Sequence, residues 1–146
     1  MSVRSGQLSE PPMDITNFDD LLRAARRQSE PQRLLFVFAG AELPDDSTPE
    51  QRQRFEAGHG GALVPLACVD RTPQELTSFA TLTDEAREFL DDWKLVFVAA
   101  MSGHGGRAPT SDEAQAPLQR MVEAIKAGTI RAYLPFDPQG HPVLLS

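Results

Sequence analysis

Cysteine is nearly absent: Cys68 is the only one in 146 residues. An internal disulfide and a thiolate metal cluster are thereby excluded. Positive charge is also in short supply, since 14 Lys and Arg face 21 Asp and Glu for a net charge of −7. A general binder of nucleic acid or of anionic membranes needs a clustered positive field, so neither partner is expected. No apolar run approaches the roughly 20 residues that span a bilayer. The opening segment, Met1-Ser-Val-Arg-Ser-Gly-Gln-Leu-Ser-Glu-Pro-Pro12, lacks the apolar stretch of a secretory signal. With one unpaired thiol, the expected compartment is the cytoplasm.

What is present describes an ordinary globular chain, 40% hydrophobic and 24% charged, of a length that suits one domain. Residues 1–12 are polar and end in Pro11-Pro12, the composition of a disordered tail. The α/β domain is therefore expected over 13–146, and Met13 is a second candidate for the start of the chain.

Helical and extended patterns alternate. Phe18, Leu21, Leu22 and Ala25 recur at the spacing of one buried helical stripe, with Thr16 or Asn17 as the cap. Asp19 lies four residues before Arg23, so the arginines of this helix read as a solvated, ion-paired face. Residues 34–39 and 95–100 are continuous apolar runs, the pattern of strands buried on both faces. Residues 62–69 form another strand, but Pro65 lacks a ladder donor, which places it at a sheet edge or beside a bulge. Thr48-Pro49-Glu50-Gln51 and Thr72-Pro73-Gln74-Glu75 both read as capping boxes that start helices. The first of these helices has little beyond Phe55 to bury; the second is expected to break at Thr81-Leu-Thr83. A short turn from Ser111 should lead into a helix beginning near Pro117 and stopping at Gly128. Residues 130–136 and 142–145 flank Asp137-Pro-Gln-Gly140, which predicts a closing hairpin.

Strands that alternate with helices imply crossover connections. The expected fold is α/β and layered, with a mainly parallel central sheet of about five strands and a C-terminal antiparallel hairpin. In such a sheet ligands bind beyond the carboxyl ends of the strands. That edge would gather residues 40–46, 70–72 and 102–107.

Ser102-Gly103-His104-Gly105-Gly106-Arg107 is the most suggestive stretch for a ligand. Glycines let the backbone approach an anion, the following helix can offer amides, and Arg107 can supply a counter-charge. These six residues are the candidate site for a phosphate or nucleotide. The context of a dinucleotide fingerprint is missing: Pro109 interrupts the turn, and no acidic residue follows at the required distance. No lysine precedes Ser or Thr as in a Walker loop. Ser102 and His104 could be combined with Asp45 or Asp46 into a nucleophile set, but no G-x-S-x-G elbow supports it. No catalytic residue is assigned.

Gly58-His59-Gly60-Gly61 echoes the later loop, yet parallel strands would put His59 and His104 at opposite edges, so no metal site is assigned. No cofactor is expected either. Cys68 reads as a small buried hydrophobe, Trp93 as a rim residue of the core, and Glu42, Asp45, Asp46, Asp91 and Asp92 as solvated carboxylates.

Phe18-Asp-Asp-Leu-Leu22, Arg33-Leu-Leu-Phe-Val-Phe-Ala-Gly-Ala-Glu-Leu-Pro-Asp-Asp46, Gly61-Ala-Leu-Val-Pro65 and Ala116-Pro-Leu-Gln-Arg-Met-Val-Glu-Ala-Ile-Lys-Ala-Gly128 carry a likeness of whole segments. In them the chain, from Met13 onward, resembles a family of small uncharacterised bacterial proteins often auto-labelled "ribonucleotide reductase subunit alpha". That name implies a thiyl-forming cysteine, a reducing cysteine pair and a far larger barrel. With Cys68 alone, the isolated chain cannot perform reductase chemistry. The expected function is a non-catalytic cytoplasmic domain that binds a protein partner or a small effector. The alternatives are a phosphate-ligand binder or enzyme using 102–107, and a homodimer formed through the Pro65 strand or the terminal hairpin.

Overall fold

The two unbroken apolar runs lie side by side in the computed structural model, which describes residues 16–42, 46–56 and 62–143. The predicted tail, Met13, Asp45, His59 with its glycines, and residues 144–145 fall outside these ranges. The element order is α1 (Phe18–Arg26), β1 (Gln32–Glu42), α2 (Pro49–Glu56), β2 (Ala62–Arg71), α3 (Phe79–Ala86), β3 (Leu95–Ser102), α4 (Ser111–Ala127) and β4 (Leu134–Phe136). The strands form one sheet in the order β2-β1-β3-β4, and every neighbouring pair is antiparallel.

This overturns the expected parallel, five-stranded sheet, and α2 supplies the reason. A parallel neighbour requires a crossover helix that covers the sheet with an apolar stripe. Residues 50–54 of α2 are exposed, so the helix is a surface decoration on a connection that simply turns back. β2 and β3 do run the same way, with α3 in the connection between them, but β1 lies between the two strands. The closing hairpin is also shorter than expected. Beyond β4, among the described residues, only an isolated bridge joins Phe136 to Pro142, and Pro142 has no amide to extend a ladder.

Alternation along β1 and β3 feeds two cores. Leu34, Phe36, Phe38, Val96 and Val98 meet Phe18 and Leu22 of α1 and Phe79 and Leu82 of α3. Leu35, Val37, Ala39, Leu95 and Phe97 meet Ala114, Leu118, Met121 and Ile125 of α4. The result is helices, sheet, helix in three layers.

Local signals explain the element ends, with several corrections. Asn17 caps α1 by accepting from the Asp20 amide at 3.0 Å. Arg23 pairs with Asp20 rather than Asp19. Asp19 instead accepts the Phe79 amide at 2.9 Å, where Ser78 also caps α3. That second capping point moves the start of α3 six residues beyond Pro73. Thr72 and Glu75 close only a turn, and the helix then runs unbroken through Thr81-Leu-Thr83. The full capping box of Thr110 and Glu113 likewise starts α4 at Ser111, with Pro117 inside the helix. Gly128 ends it at φ 78°; its amide reaches Ile125 and that of Thr129 reaches Ala124, a Schellman closure.

Pro65 lies in the edge strand β2 beside a register shift: Phe38 faces Ala67 while Ala39 faces Pro65, leaving Leu66 unpaired. The alternation of hydrogen-bonded pairs fixes which way the edge points. Gly103 donates to Pro31 and Lys94 donates to Ala39, so the odd residues of β1 face β3 and the even ones face β2. Cys68, Asp70 and Pro65 therefore turn their backbone groups outward. Consistent with this, the Asp70 carbonyl accepts from the Arg71 side chain at 2.7 Å. The missing amide of Pro65 falls on the solvent side, where no ladder bond is lost. Cys68 is exposed rather than buried, since an edge strand lacks an outer neighbour. What burial it has raises its thiol pKa above the ordinary value.

Candidate functional site

The antiparallel sheet redistributes the predicted ligand edge. Gln32 pairs with Ser102 at one end, and Ala39 with Leu95 toward the other. Loops 70–72 and 102–107 therefore share an end, whereas Asp46, which follows β1, belongs to the opposite one. The Ser102, His104 and Asp46 combination is not assembled.

At the shared end a polar network locks the start of α4. Arg33 donates to the Asp70 carboxylate at 2.6 Å and to the Pro109 carbonyl. The Ser111 hydroxyl donates to Asp70 at 2.8 Å. Beside this network, Ser102, Gly103, His104 and Arg107 line a cleft of about 360 Å³ together with Thr110 and Glu113.

The glycines of the loop have a local explanation. His104 and Arg107 exchange amide-to-carbonyl bonds at 3.1 Å, and Gly105 and Gly106 between them have φ values of 59° and 80°. Positive φ at both central residues is what a two-residue type I′ hairpin demands. Gly103 is glycine for space: a Cβ there would stand 1.9 Å from the Arg107 carbonyl oxygen and 2.9 Å from that of Pro31. The amides are also occupied. Gly103 donates to the Pro31 carbonyl at 2.8 Å and Gly106 to the Glu30 carboxylate at 2.9 Å. An incoming anion would compete with Glu30 for Gly106 and meet Glu113 across the cleft. Glu113 is held below the ordinary carboxylate value, first by the backbone and side-chain hydrogen bonds with Thr110 and then by the charges of His104 and Arg107. Arg107 is exposed, and part of its field already serves that carboxylate. The Ser102 hydroxyl accepts from Gln32 at 3.1 Å.

A second concavity lies at the opposite end, beside the edge strand β2. The bulge swings Leu66 over Gly40, where a Cβ would be 3.3 Å from Leu66 Cδ1. Gly40, Val64, Leu66 and Trp93 line a groove of about 190 Å³, with Glu42, Asp92 and Lys94 at its rim. Phe38 underlies this region: Trp93 and Phe89 stand edge-on to its ring at 5.0 and 6.5 Å. Leu66 is 42% exposed and Phe89 52%; with Leu134 they are the exposed large apolar side chains among the described residues. Sequence reading missed this groove. Its one signal was Pro65, which marked an edge and a bulge without saying which side chain the bulge would expose.

Among the described residues no helix is long and apolar enough to cross a membrane, and no cluster of three His, Cys, Asp or Glu side chains is placed to hold a metal. Comparison with known proteins found no matching family model, curated protein or solved structure.

Proposed function

We propose that this chain is a cytoplasmic protein-binding domain rather than an enzyme, and that it meets its partner at β2, which has no outer strand neighbour among the described residues. The observation that carries this reading is apolar exposure at the β2 end of the Phe38 cluster: Leu66 lies over Gly40, and Phe89 stands edge-on to Phe38. At the other edge, β4 already has bonds from the C-terminal turn: Val143 donates to the Pro135 carbonyl at 3.0 Å and Asp137 to that of His141. Large apolar side chains grouped on a surface mark contact sites more often than isolated ones do. The phosphate-ligand alternative draws on the cleft at 102–107, but its best amide donors already have acceptors within the chain.

A photoreactive phenylalanine analogue at Phe89, with Gln119 on the exposed face of α4 as control, tests the reading in cells. A discrete adduct is expected from position 89 and not from 119. The adduct mass then separates a second copy of this chain from a different protein. Equal labelling from both positions, or none from 89, contradicts the proposal.

A further inference from the structure

Resting on the protein-binding reading above, we infer that the groove beside Leu66 receives a large apolar side chain carried on a basic segment of the partner. Three observations converge. The groove, at about 190 Å³, is smaller than the roughly 300–1,000 Å³ of small-molecule pockets and suits a single anchoring side chain. Its rim carries the exposed carboxylates of Glu42 and Asp92 against the one ammonium of Lys94, on a chain of net charge −7. Charges so arranged favour a segment bearing Lys or Arg and disfavour a second acidic copy of this chain.

The edge itself selects docking by side chains over strand addition. An added strand needs a regular row of outward amides, and β2 interrupts that row with Pro65 and the unpaired Leu66. Arg71 further covers the outward carbonyl of Asp70. The same bulge that spoils the edge exposes Leu66 and opens the groove, and Gly40 keeps it open by having no Cβ.

The test follows amide and indole signals of the full labelled chain while short synthetic peptides of three compositions are added: Leu and Phe with Lys and Arg, Leu and Phe with Asp and Glu, and Ser with Lys and Arg. Only the first is expected to give saturating shifts at Gly40, Leu66 and the Trp93 indole. Reversing Glu42 or Asp92 to Lys should weaken it by about fivefold each, the upper range for an exposed ion pair. Gly40→Val, which fills the groove, should abolish the shifts; its own spectrum reports whether it is folded. Equal binding of the acidic peptide overturns the basic partner while leaving the docking surface in place. Concentration-dependent shifts at the same amides without peptide assign the groove to a second copy and overturn it as well. No response to any peptide overturns the inference outright, and the photo-adduct at position 89 then decides the broader reading separately.

Discussion

Phe18→Ala is expected to destabilise the fold by roughly 3–5 kcal/mol, the range for truncating a fully buried phenylalanine. The side chain is 0% exposed, and its ring lies 4.9 Å from Phe79, 5.3 Å from Phe136 and 5.8 Å from Phe36. Each of these rings belongs to a different element, so one cavity loosens α1, α3, β1 and β4 together. The Phe18 amide adds a bond to the Gly140 carbonyl at 2.8 Å, which ties α1 to the C-terminal turn. Neighbouring side chains on four elements cannot all relax into the void, which places the loss toward the upper end. Urea unfolding should show a lower midpoint with an unchanged slope. Arg27→Ala, on the exposed end of the same helix, should stay within about 0.5 kcal/mol. A loss under about 1 kcal/mol for Phe18→Ala contradicts the shared aromatic core.

Gly103→Ala is expected to cost about 3 kcal/mol, because the new methyl group overlaps fixed backbone rather than a flexible side chain. At 1.9 Å from the Arg107 carbonyl, it cannot coexist with the bonded turn of His104 and Arg107. At 2.9 Å from the Pro31 carbonyl, it also pushes β1 and β3 apart where their ladder ends. Gly105→Ala and Gly106→Ala meet no atom within 4 Å, but their φ values are positive. They should each cost about 1 kcal/mol. Thermal or urea unfolding of the three variants orders them. A glycine kept for close approach of a ligand would lower affinity when replaced and leave the free protein's stability alone. An unchanged stability for Gly103→Ala would therefore sink the hairpin explanation of this loop.

Much of the fold was legible because its signals are local. The stripe of Phe18, Leu21 and Leu22, the capping box of Thr110 and Glu113 and the closing Gly128 each declare an element within one or two turns. Pro65 announced an edge and a bulge for the same reason, since the missing amide constrains its own position in the ladder. Strand direction was misread because alternation of elements says nothing about which helices cross the sheet. The deciding fact was the polar surface of α2: a helix without an apolar stripe cannot cover a crossover, so β1 turns back into β2. In α4 the helix start expected near Pro117 lies instead at Ser111. Pro117 forfeits one hydrogen bond, and the cap before it together with Ala114, Leu118 and Met121 on the core side outweighs that loss.

The loop at 102–107 shows why a glycine motif is ambiguous in a sequence. The same residues that can cradle a phosphate also satisfy a type I′ turn, and what distinguishes the two uses is where the amides point. Glu30 and Pro31, which take those amides, are more than seventy residues away in the chain. Such a partner carries no local signature. The groove at Leu66 was hidden for a related reason: the direction of a bulged side chain depends on the register of the neighbouring strand.

Amide NMR of the labelled chain during titration with inorganic phosphate, and then with a nucleoside triphosphate, separates a self-satisfied hairpin from a ligand cradle most directly. The signals of Gly103, Gly105, Gly106 and Arg107 should stay in place, and the Gly106 signal should move only when its acceptor is altered by Glu30→Gln. Saturating shifts centred on residues 103–107, lost in Arg107→Ala, would contradict the hairpin reading and return the function to that cleft.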